Sequence, residues 1–389
     1  MKSKVLNLIL VLSLALLLTG CWDRIEIDRR AFVSTIGIDV GSDVDKKESL
    51  SEDVDINNYK DMNMVKITYG FPDLRHMDTQ KGTTEGLSLT VDGYSPTDAY
   101  FKAASMSSRS LHFGHSKLLL LSNKVFDYPE LEKEILDYIE REPNLNRSII
   151  MAIVKGNTEG YIKVKPMMED GIDSYITNLL GNSRITGTIS PITLTKYIDM
   201  VKSKSISMLP VFDLKSEDEI ELEGVAVIEN NKIKAYLNNN EIENVQILRS
   251  DIGSSKKVVT SGGHPIDYYI ETVDSNLDIK YIDNKLHLKY SIFAEGDLAG
   301  YYTDAKEIEA KDIKILEEEL NTQMEKELLE VAYRTKNDLK LDVLEIEDKV
   351  KKYHYKLWES IKDNWSEEFQ KAEISIVVKN QIRTVGIIN

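Results

Sequence analysis

The sequence predicts an α+β protein made of three domains of mixed, mainly antiparallel sheets with packed helices, preceded by an amino-terminal signal segment. Strand-like and helix-like segments alternate without the regular β–α repeat of a doubly wound sheet, and the strand-like segments come in groups. The chain has 389 residues, which is enough for more than one domain. We place the signal segment at 1–20, an amino-terminal domain at 21–203, a small middle domain at 204–250 and a carboxyl-terminal domain at 251–389.

A short hydrophobic run opens the chain. Two lysines precede 14 largely apolar residues, 5–18, a length too short to cross about 30 Å of hydrocarbon comfortably as a helix. The run ends in Leu18-Thr19-Gly20-Cys21, which resembles the lipobox of bacterial lipoproteins. In those proteins the cysteine thiol is alkylated with diacylglycerol, and the cysteine becomes the mature amino terminus. We therefore predict that 1–20 is a lipoprotein signal peptide and that Cys21 is the lipidation site.

The anchor and the charge limit the possible partners. Two acyl chains hold a protein stably at a membrane. The chain has 49 basic and 65 acidic residues, and removing 1–20 takes away two lysines and no acid, so the net charge changes from −16 to −18. Nucleic acid and anionic lipid repel such a body, so no nucleic-acid partner is expected and the lipid should suffice for attachment. Cys21 is the only cysteine, so the core is expected to hold without disulfides.

Hydrophobic patterning assigns the elements of the first domain. A helix at 95–110 is predicted because Ser95 is a suitable N-cap, Pro96 follows it, and Asp98 lies in the first turn. A second helix at 128–142 has one apolar face and ends before a proline. The segment 160–180 is mainly helical, and a further helix runs from 191 to about 203. Strands are predicted at 31–40, 64–71, 87–91, 115–121 and 148–154, with 117–121 apolar enough for the centre of a sheet.

The middle and carboxyl-terminal domains continue this mixed pattern. The middle domain has strands at 208–214, 220–229 and 232–237 and a helix at 238–248. The last domain begins with strands at 256–260, 266–273, 277–282 and 285–294, and Asp283-Asn284 makes the final pair a hairpin candidate. Two long helices follow, with apolar residues at helical spacing over 308–331 and 350–365, and a strand at 372–382 could join the sheet.

Residues with the spacing that catalysis needs are scarce. The sequence has no Gly-Lys-Ser/Thr phosphate loop, no Gly-x-Ser-x-Gly elbow and no His-Glu-x-x-His. His112 and His115 are the one close histidine pair. A spacing of three on a strand points two side chains to opposite faces, so we do not expect them to bind a metal together. We predict no catalytic residue, no metal and no cofactor.

Acidic residues after the first strand suggest a calcium loop. They are Asp39, Asp43, Asp45 and Glu48. Their spacing departs from the EF-hand pattern, which also requires a glycine at its sixth position. We therefore expect 41–61 to be a solvated, mobile loop that folding does not need.

Two features of the last domain admit a structural and a functional interpretation. The first long helix carries an acidic face, which is expected to be solvated and could alternatively dock a basic partner; its members are Glu307, Glu309, Asp312, Glu317, Glu318 and Glu319. Trp358 and Trp365 are seven residues apart on the second helix and share a face with Leu357 and Ile361. We expect both indoles in the core, and a ligand platform is the alternative.

Several short segments, spread along the chain, carry a resemblance to a known family. They are Gly20-Cys21-Trp22-Asp23-Arg24-Ile25-Glu26-Ile27, Ile36-Gly37-Ile38-Asp39, 96–104, Ser107-Ser108-Arg109, Gly114-His115-Ser116-Lys117, Gly224-Val225-Ala226-Val227, Lys234-Ala235-Tyr236-Leu237, 356–358, 363–365 and 382–386. In this order they resemble the spore germination lipoproteins of the Ger(x)C type, the C subunits of nutrient germinant receptors in endospore-forming bacteria. The chain departs from that pattern in a longer acidic loop at 41–61 and fewer glycines over 338–344, which bears on partner specificity.

The resemblance implies a function as well as a fold. It implies a three-domain α+β protein on the outer face of the spore's inner membrane, beside a multipass A subunit and a transporter-like B subunit. The residues point the same way, because a lipid tether and a large acidic body without a catalytic set suit a protein that acts by binding.

Two other classes are weighed against this one. A solute-binding lipoprotein serving a membrane transporter would need two β-α-β lobes around a cleft, which the grouping of the strands does not favour. A cell-wall-remodelling enzyme would need paired carboxylates or a metal site, and the sequence suggests neither. Co-purification with multipass subunits separates the receptor subunit from both.

Overall fold

A computed structural model describes residues 27–49, 60–72, 87–166, 168–203, 206–216, 219–261, 264–301 and 309–384. Mixed helices and strands confirm the predicted α+β class, and the described strands form three sheets. The signal segment, Cys21 and 50–59 of the acidic loop lie outside the described residues.

The elements are numbered in chain order. The strands are β1 Arg30–Phe32, β2 Thr35–Val40, β3 Val65–Phe71, β4 Leu87–Gly93, β5 Ser110–His112, β6 Leu118–Ser122, β7 Ile150–Val154, β8 Ile192–Thr193, β9 Ser207–Ser216, β10 Glu219–Glu229, β11 Lys232–Asn238, β12 Ser255–Ser261, β13 His264–Ile282, β14 Lys285–Tyr301 and β15 Glu373–Thr384. The helices are α1 Pro96–Met106, α2 Pro129–Arg141, α3 Thr158–Ile162, α4 Ile172–Gly181, α5 Ser183–Thr186, α6 Leu194–Lys202, α7 Asn239–Arg249, α8 Ala310–Tyr333, α9 Ile346–Tyr353, α10 Tyr355–Ile361 and α11 Trp365–Lys371.

The largest sheet has the strand order β11-β10-β9-β7-β6-β2-β3-β4, with the short β8 paired to β7. Its four central strands are parallel, and the strands outside them pair antiparallel. All five residues of β6 are buried, which confirms the predicted sheet centre. Leu118 and Leu120 belong to one core, whereas Leu119 and Leu121 belong to another. Successive side chains of a strand point to opposite faces, so both faces of this sheet are covered.

The predicted middle unit shares this sheet. Its first strand, β9, runs parallel to β7, with Ile153 opposite Val211 and Val154 opposite Phe212. The sheet is therefore continuous across the boundary placed near 203, and β9 to β11 extend the sheet formed by the first domain's strands. Patterning missed this because the pairing joins strands far apart in sequence. The domain limits themselves stay a prediction.

A buried carboxylate ties the β10–β11 turn to the helices beside the sheet. Glu132 of α2 is fully buried, and it accepts hydrogen bonds from the hydroxyl of Tyr197 in α6 (3.0 Å) and from the side-chain amide of Asn231. Asn231 has a φ of +62° in that turn. Burial raises the pKa of the Glu132 carboxyl to about 7.

The carboxyl-terminal sheet has the order β12-β13-β14-β15. The prediction of separate strands at 266–273 and 277–282 is wrong, because β13 is one strand of 19 residues. The weak strand formers at 274–276 pair with β14, and this pairing outweighs their intrinsic preference. Asp283 and Asn284 confirm the predicted hairpin, with φ values of +50° and +60° that suit a two-residue turn. The predicted last strand is confirmed as β15, parallel to β14.

Helix α8 covers the open edge of β15. Three backbone N–H groups of β15 donate to side-chain oxygens of α8: Val378 to Glu325 (2.9 Å), Asn380 to Asn321 (2.6 Å) and Ile382 to Glu317 (2.9 Å). Acceptors four residues apart on a helix and donors two residues apart on a strand both repeat at about 6–7 Å, so the two rows match. Gln323 donates to the carbonyl of Val258 in β12 (2.8 Å), so α8 binds both edge strands of this sheet.

The helices around this sheet differ from the prediction in two respects. The single helix expected over 350–365 is divided into α9, α10, a short turn and α11. No proline or glycine occurs over 346–371, so residue type does not mark the division; the chain turns at His354, whose φ of −129° and ψ of 48° are not helical. In α8 the predicted apolar face is buried except Ile315, which is 52% exposed.

We predict that Asn321→Ala lowers the free energy of unfolding by about 1–3 kcal/mol, because it leaves the buried backbone N–H of Asn380 without an acceptor. Urea unfolding measures the change. The matched control is Glu318→Ala on the exposed side of α8, which should stay within about 0.5 kcal/mol of the wild type. Equal effects of the two variants would contradict a role for the edge contacts.

We predict that Glu132→Gln weakens the pH dependence of stability. The raised pKa of Glu132, about 7 against an ordinary 4.5, means that the folded state holds the proton more tightly than the unfolded chain. Its contribution to stability is therefore lost as pH rises from about 4.5 to about 7. Unfolding free energies at about pH 5 and about pH 8 should differ less in the variant than in the wild type. Glu130→Gln, an exposed change on the same helix, should leave the difference unaltered; a wild-type-like fall in Glu132→Gln would disprove the assignment.

Candidate binding surfaces

The chain enters its folded body beside β5. Cys21 lies outside the described residues, so its lipidation stays a prediction. The first described turn, Ile27–Arg29, leads directly into β1, which pairs parallel with β5. Among the described residues, no helix combines the length and the apolar character that crossing a bilayer requires. An anchor at Cys21 would therefore join the body at the β1–β5 end.

The histidine pair is closer than the strand argument implied. His112 ends β5, but His115 lies in the turn before β6, so the two do not sit on one strand. Their ring centroids are 5.9 Å apart, and the ring of Phe32 contacts both at 5.5 and 5.3 Å. Burial, and then the charge of Arg30, lower the pKa of His112. Within the described ranges, no cluster of three or more His, Cys, Asp or Glu side chains is placed to hold a metal ion.

The acidic residues after β2 bind protein groups instead of converging on one site. Asp43 accepts a hydrogen bond from the backbone N–H of Asn63 (2.9 Å), and Asp45 accepts one from the hydroxyl of Tyr128. Between them, Val44 is buried in the core. The prediction of a solvated loop is therefore wrong at Gly41 and Val44, which are buried. That folding does not need 41–61 stays a prediction.

Asp39 has a different role within β2. Its carboxylate is buried and accepts hydrogen bonds from the backbone N–H (2.9 Å) and the hydroxyl (2.6 Å) of Thr158, at the start of α3. Burial raises the pKa of Asp39. A side chain at Gly37 would lie 2.4 Å from the Thr158 hydroxyl, so glycine is needed for α3 to approach the strand this closely. The Ile36-Gly37-Ile38-Asp39 motif thus fastens a helix to the sheet.

Two other motif segments also hold the fold together. The buried hydroxyl of Ser116 donates to the carbonyl of Val33 (2.9 Å), which joins the turn before β6 to the segment after β1. Gly224 has a φ of +136°, and a side chain there would lie 2.0 Å from the carbonyl oxygen of Leu237. These motifs therefore identify the fold and do not mark a ligand site.

The acidic face of α8 is only partly solvated. Glu317 accepts from β15, which contradicts the expectation of a solvated stripe at this residue. Glu309 and Asp312 form a capping box at the start of the helix, and Glu318 is exposed. Glu307 lies outside the described residues. One member of the face, Glu317, therefore binds the carboxyl-terminal sheet, and docking of a basic partner on the exposed members stays a prediction.

The two predicted core tryptophans are half-buried. Trp358 lies on α10 and Trp365 begins α11, and their rings meet edge to face at 5.7 Å. Trp365 also stacks on Phe369 at 6.0 Å, and Lys351 lies 4.9 Å above the ring of Trp358. The indoles pack on the edge of the core because the break before α11 separates them from the single helix face that was expected.

Trp365 and Phe369 also form part of a groove of about 530 Å³. One wall comes from α6 with Lys196 and Met200, and the opposite wall comes from 340–351 and α11. A smaller cavity of about 190 Å³ continues from it, since both share Lys196, Met200 and Ile206. The sequence does not predict this groove because its walls are far apart in the chain, and the 363–365 motif contributes only Trp365 to it.

The carboxylates of the groove serve the fold. Asp342 is half-buried and accepts from the N–H groups of Ile346 (3.0 Å) and Glu347 (2.7 Å) at the start of α9, and desolvation of its carboxyl raises the pKa of Asp342 to about 6. Glu345 pairs with Arg249 at 3.0 Å. Such engaged carboxylates hold α9 in place; together with the lysines and Trp365 they form a surface suited to binding.

Family models cover most of the chain. The model described as "Spore germination protein N-terminal domain" matches 23–214, and the one described as "Spore germination B3/GerAC like, C-terminal" matches 223–386. The chain belongs to this spore germination family. The Ger(x)C-type resemblance is thereby confirmed.

Members of the spore germination family are similar along the full chain. Spore germination protein YndF of Bacillus subtilis (strain 168) is 24% identical, and the match covers 100% of this chain and 99% of that protein. Spore germination proteins KC and B3 of the same organism are each 20% identical, with coverage of 100% and 98% for KC and 96% of each chain for B3. The crystal structure of the GerBC protein matches with a TM-score of 0.58 at 17% identity, over 83% of this chain and 94% of that one, which supports the same fold.

We predict that Trp358 and Trp365 are energetically coupled. In a double-mutant cycle with alanine, the coupling free energy should be about 0.5–1.5 kcal/mol, as for edge-to-face aromatic pairs. Urea unfolding of the two single variants and the double variant measures it. The control cycle pairs Trp365 with the exposed Tyr353 and should be additive within about 0.5 kcal/mol. Additivity in both cycles would show that the ring contact contributes no stability.

Proposed function

We propose that this chain is a lipid-anchored, non-catalytic subunit of a spore nutrient germinant receptor. It acts on the outer face of the spore's inner membrane by binding a multipass A subunit and a transporter-like B subunit, and so helps to start germination. The observation that carries this proposal is the match of two germination family models over 23–214 and 223–386. The full-length similarity to germination proteins KC and B3 supports it.

The side-chain chemistry favours binding over catalysis. The buried acids Asp39 and Glu132 hold a helix start and a turn, and Asp342 holds the start of α9. Each therefore has structural hydrogen-bond partners, and burial accounts for its raised pKa. The groove beside Trp365 is lined mainly by charged side chains, together with Met200, Ile206, Trp365 and Phe369, a mixture that suits binding of another molecule.

The anchor supports the same role. A diacylated cysteine gives a stable attachment, and attachment raises the effective concentration of a weakly binding subunit at its partners into roughly the millimolar range. A C subunit with modest affinity for its membrane partners can thus remain bound to them.

We predict that spores carrying Cys21→Ala respond poorly to the nutrient that this receptor senses. The change removes the acylation site, so the subunit loses its fixed position beside the membrane partners. Nutrient-triggered loss of optical density measures the response, and fractionation of spore membranes locates the subunit.

A trigger that bypasses the receptors provides the control and should act normally on the same spores. Normal nutrient germination with the variant recovered from the soluble fraction would contradict a role for the anchor. Co-purification of the wild-type chain with multipass subunits tests the complex itself; its failure in gently solubilised membranes would favour a solute-binding lipoprotein.

A further inference from the structure

We propose that the face around β1 and β5 rests on the anionic lipid headgroups of the membrane that holds the anchor. We call this face the β1–β5 face; it consists of Ile27, Arg29, Arg30, Met106 and Arg109. The inference rests on the proposed lipidation of Cys21 and adds an orientation of the body on the bilayer.

The length of the tether sets the first constraint. Six residue steps separate Cys21 from Ile27, and an extended chain spans at most about 3.3–3.6 Å per residue. Ile27 therefore lies within roughly 20 Å of the anchor in any conformation of the linking segment. Since Ile27–Arg29 leads directly into β1, the β1–β5 face is close to the membrane surface whenever Cys21 is acylated.

The three arginines of this face lie close together. Arg30 is opposite Ser110 in the β1–β5 pair, and the hydroxyl of Ser110 donates to the carbonyl of Arg29 at 3.3 Å. Arg109 directly precedes Ser110. Arg29 and Arg109 are exposed and Arg30 is half-exposed. The register of two short strands thus gathers side chains about 80 positions apart in the sequence.

The charge of the β1–β5 face is opposite to that of the whole chain. The segments 27–32 and 106–112 contain three basic residues and one acidic residue, Asp28, a formal charge of +2 in a chain of −16. Lys117 pairs with Asp173 at 3.3 Å, whereas none of the three arginines makes an ion pair with any described residue. The net charge of the chain predicts repulsion from anionic lipid. The local excess of positive charge predicts attraction at the β1–β5 face, which the tether holds near the membrane.

Exposed apolar residues lie close to these arginines in the sequence. Ile27 is 72% exposed, and Met106, three residues before Arg109, is 64% exposed. Arginine with apolar neighbours suits the headgroup region, where the guanidinium binds phosphate and the apolar groups enter the acyl boundary. The acidic remainder of the body is repelled by the anionic membrane surface. Attraction of the arginines and repulsion of the remainder therefore both favour an orientation with the β1–β5 face towards the membrane.

The test uses the full lipidated chain in vesicles of phosphatidylcholine with phosphatidylglycerol. Cys21 is the only natural cysteine and is acylated, so Met106→Cys provides a single thiol for a nitroxide label. Tyr353→Cys labels a residue of α9 with similar exposure, 67%, as the matched control. Collision with lipid-soluble oxygen and with a water-soluble nickel chelate reports whether each label contacts lipid.

We expect the label at 106 to contact lipid and the label at 353 to remain in water. Neutralising the three arginines to glutamine should lower the ratio of docked to undocked protein by about fivefold per arginine. Pure phosphatidylcholine or high salt should lower the same ratio. Arg383→Gln, on the carboxyl-terminal sheet, should change nothing. Equal circular dichroism of the variants excludes misfolding as the cause.

Two outcomes overturn the inference in distinguishable ways. If the chain floats with the vesicles but the label at 106 is as hydrated as the label at 353, the anchor holds and the docking is wrong; an acidic protein partner would then be the occupant of this face. If the chain does not float with the vesicles, lipidation at Cys21 is wrong, and the orientation falls with it.

Discussion

The structure depends on burying strand β6 on both faces. Leu118 and Leu120 point into one core while Leu119 and Leu121 point into another, so this strand cannot be stable until helices cover each side of the sheet. The parallel neighbours β2 and β7 follow from this requirement, because parallel strands need crossover segments that lie on the faces. One run of four leucines, 118–121, thereby fixes the layered arrangement of the largest sheet.

Several residues of the motifs that resemble the germination family make contacts that hold this sheet and its neighbouring elements together. Gly37 and Asp39 receive the start of α3, Ser116 holds the turn before β6, and Gly224 permits a close approach of β11. Membership of the family is therefore visible in how the chain folds. The groove between α6 and α11, in contrast, is built from segments that are distant in the sequence.

Sequence reasoning succeeded wherever the decisive physics is local. The Ser95 cap accepts from Asp98 as expected, the Asp283-Asn284 turn forms, and the apolar spacing of α8 places Leu316, Leu320 and Met324 in the core. It failed where long-range pairing decides: β9 joins β7, and β13 continues through weak strand formers. The division at His354 has no proline or glycine to mark it, so the half-buried positions of the two tryptophans could not be foreseen. The two candidate surfaces could not be predicted for the same reason, since the groove and the arginine cluster are each formed by residues that are distant in the sequence.

Strand β15 pairs with β14 on one side and binds side chains of α8 on the other. β15 forms the outer edge of the carboxyl-terminal sheet, and its backbone N–H groups satisfy the acceptors that α8 presents. During synthesis, β12 to β14 and α8 all emerge before it, so for that interval the edge of β14 and the acceptor row of α8 both face water. The edge of β14 is therefore paired only once β15 has emerged. A chain that lacks β15 would expose the long edge of β14, which can pair with strands of other chains. We therefore expect such a chain to aggregate or to be degraded by proteases.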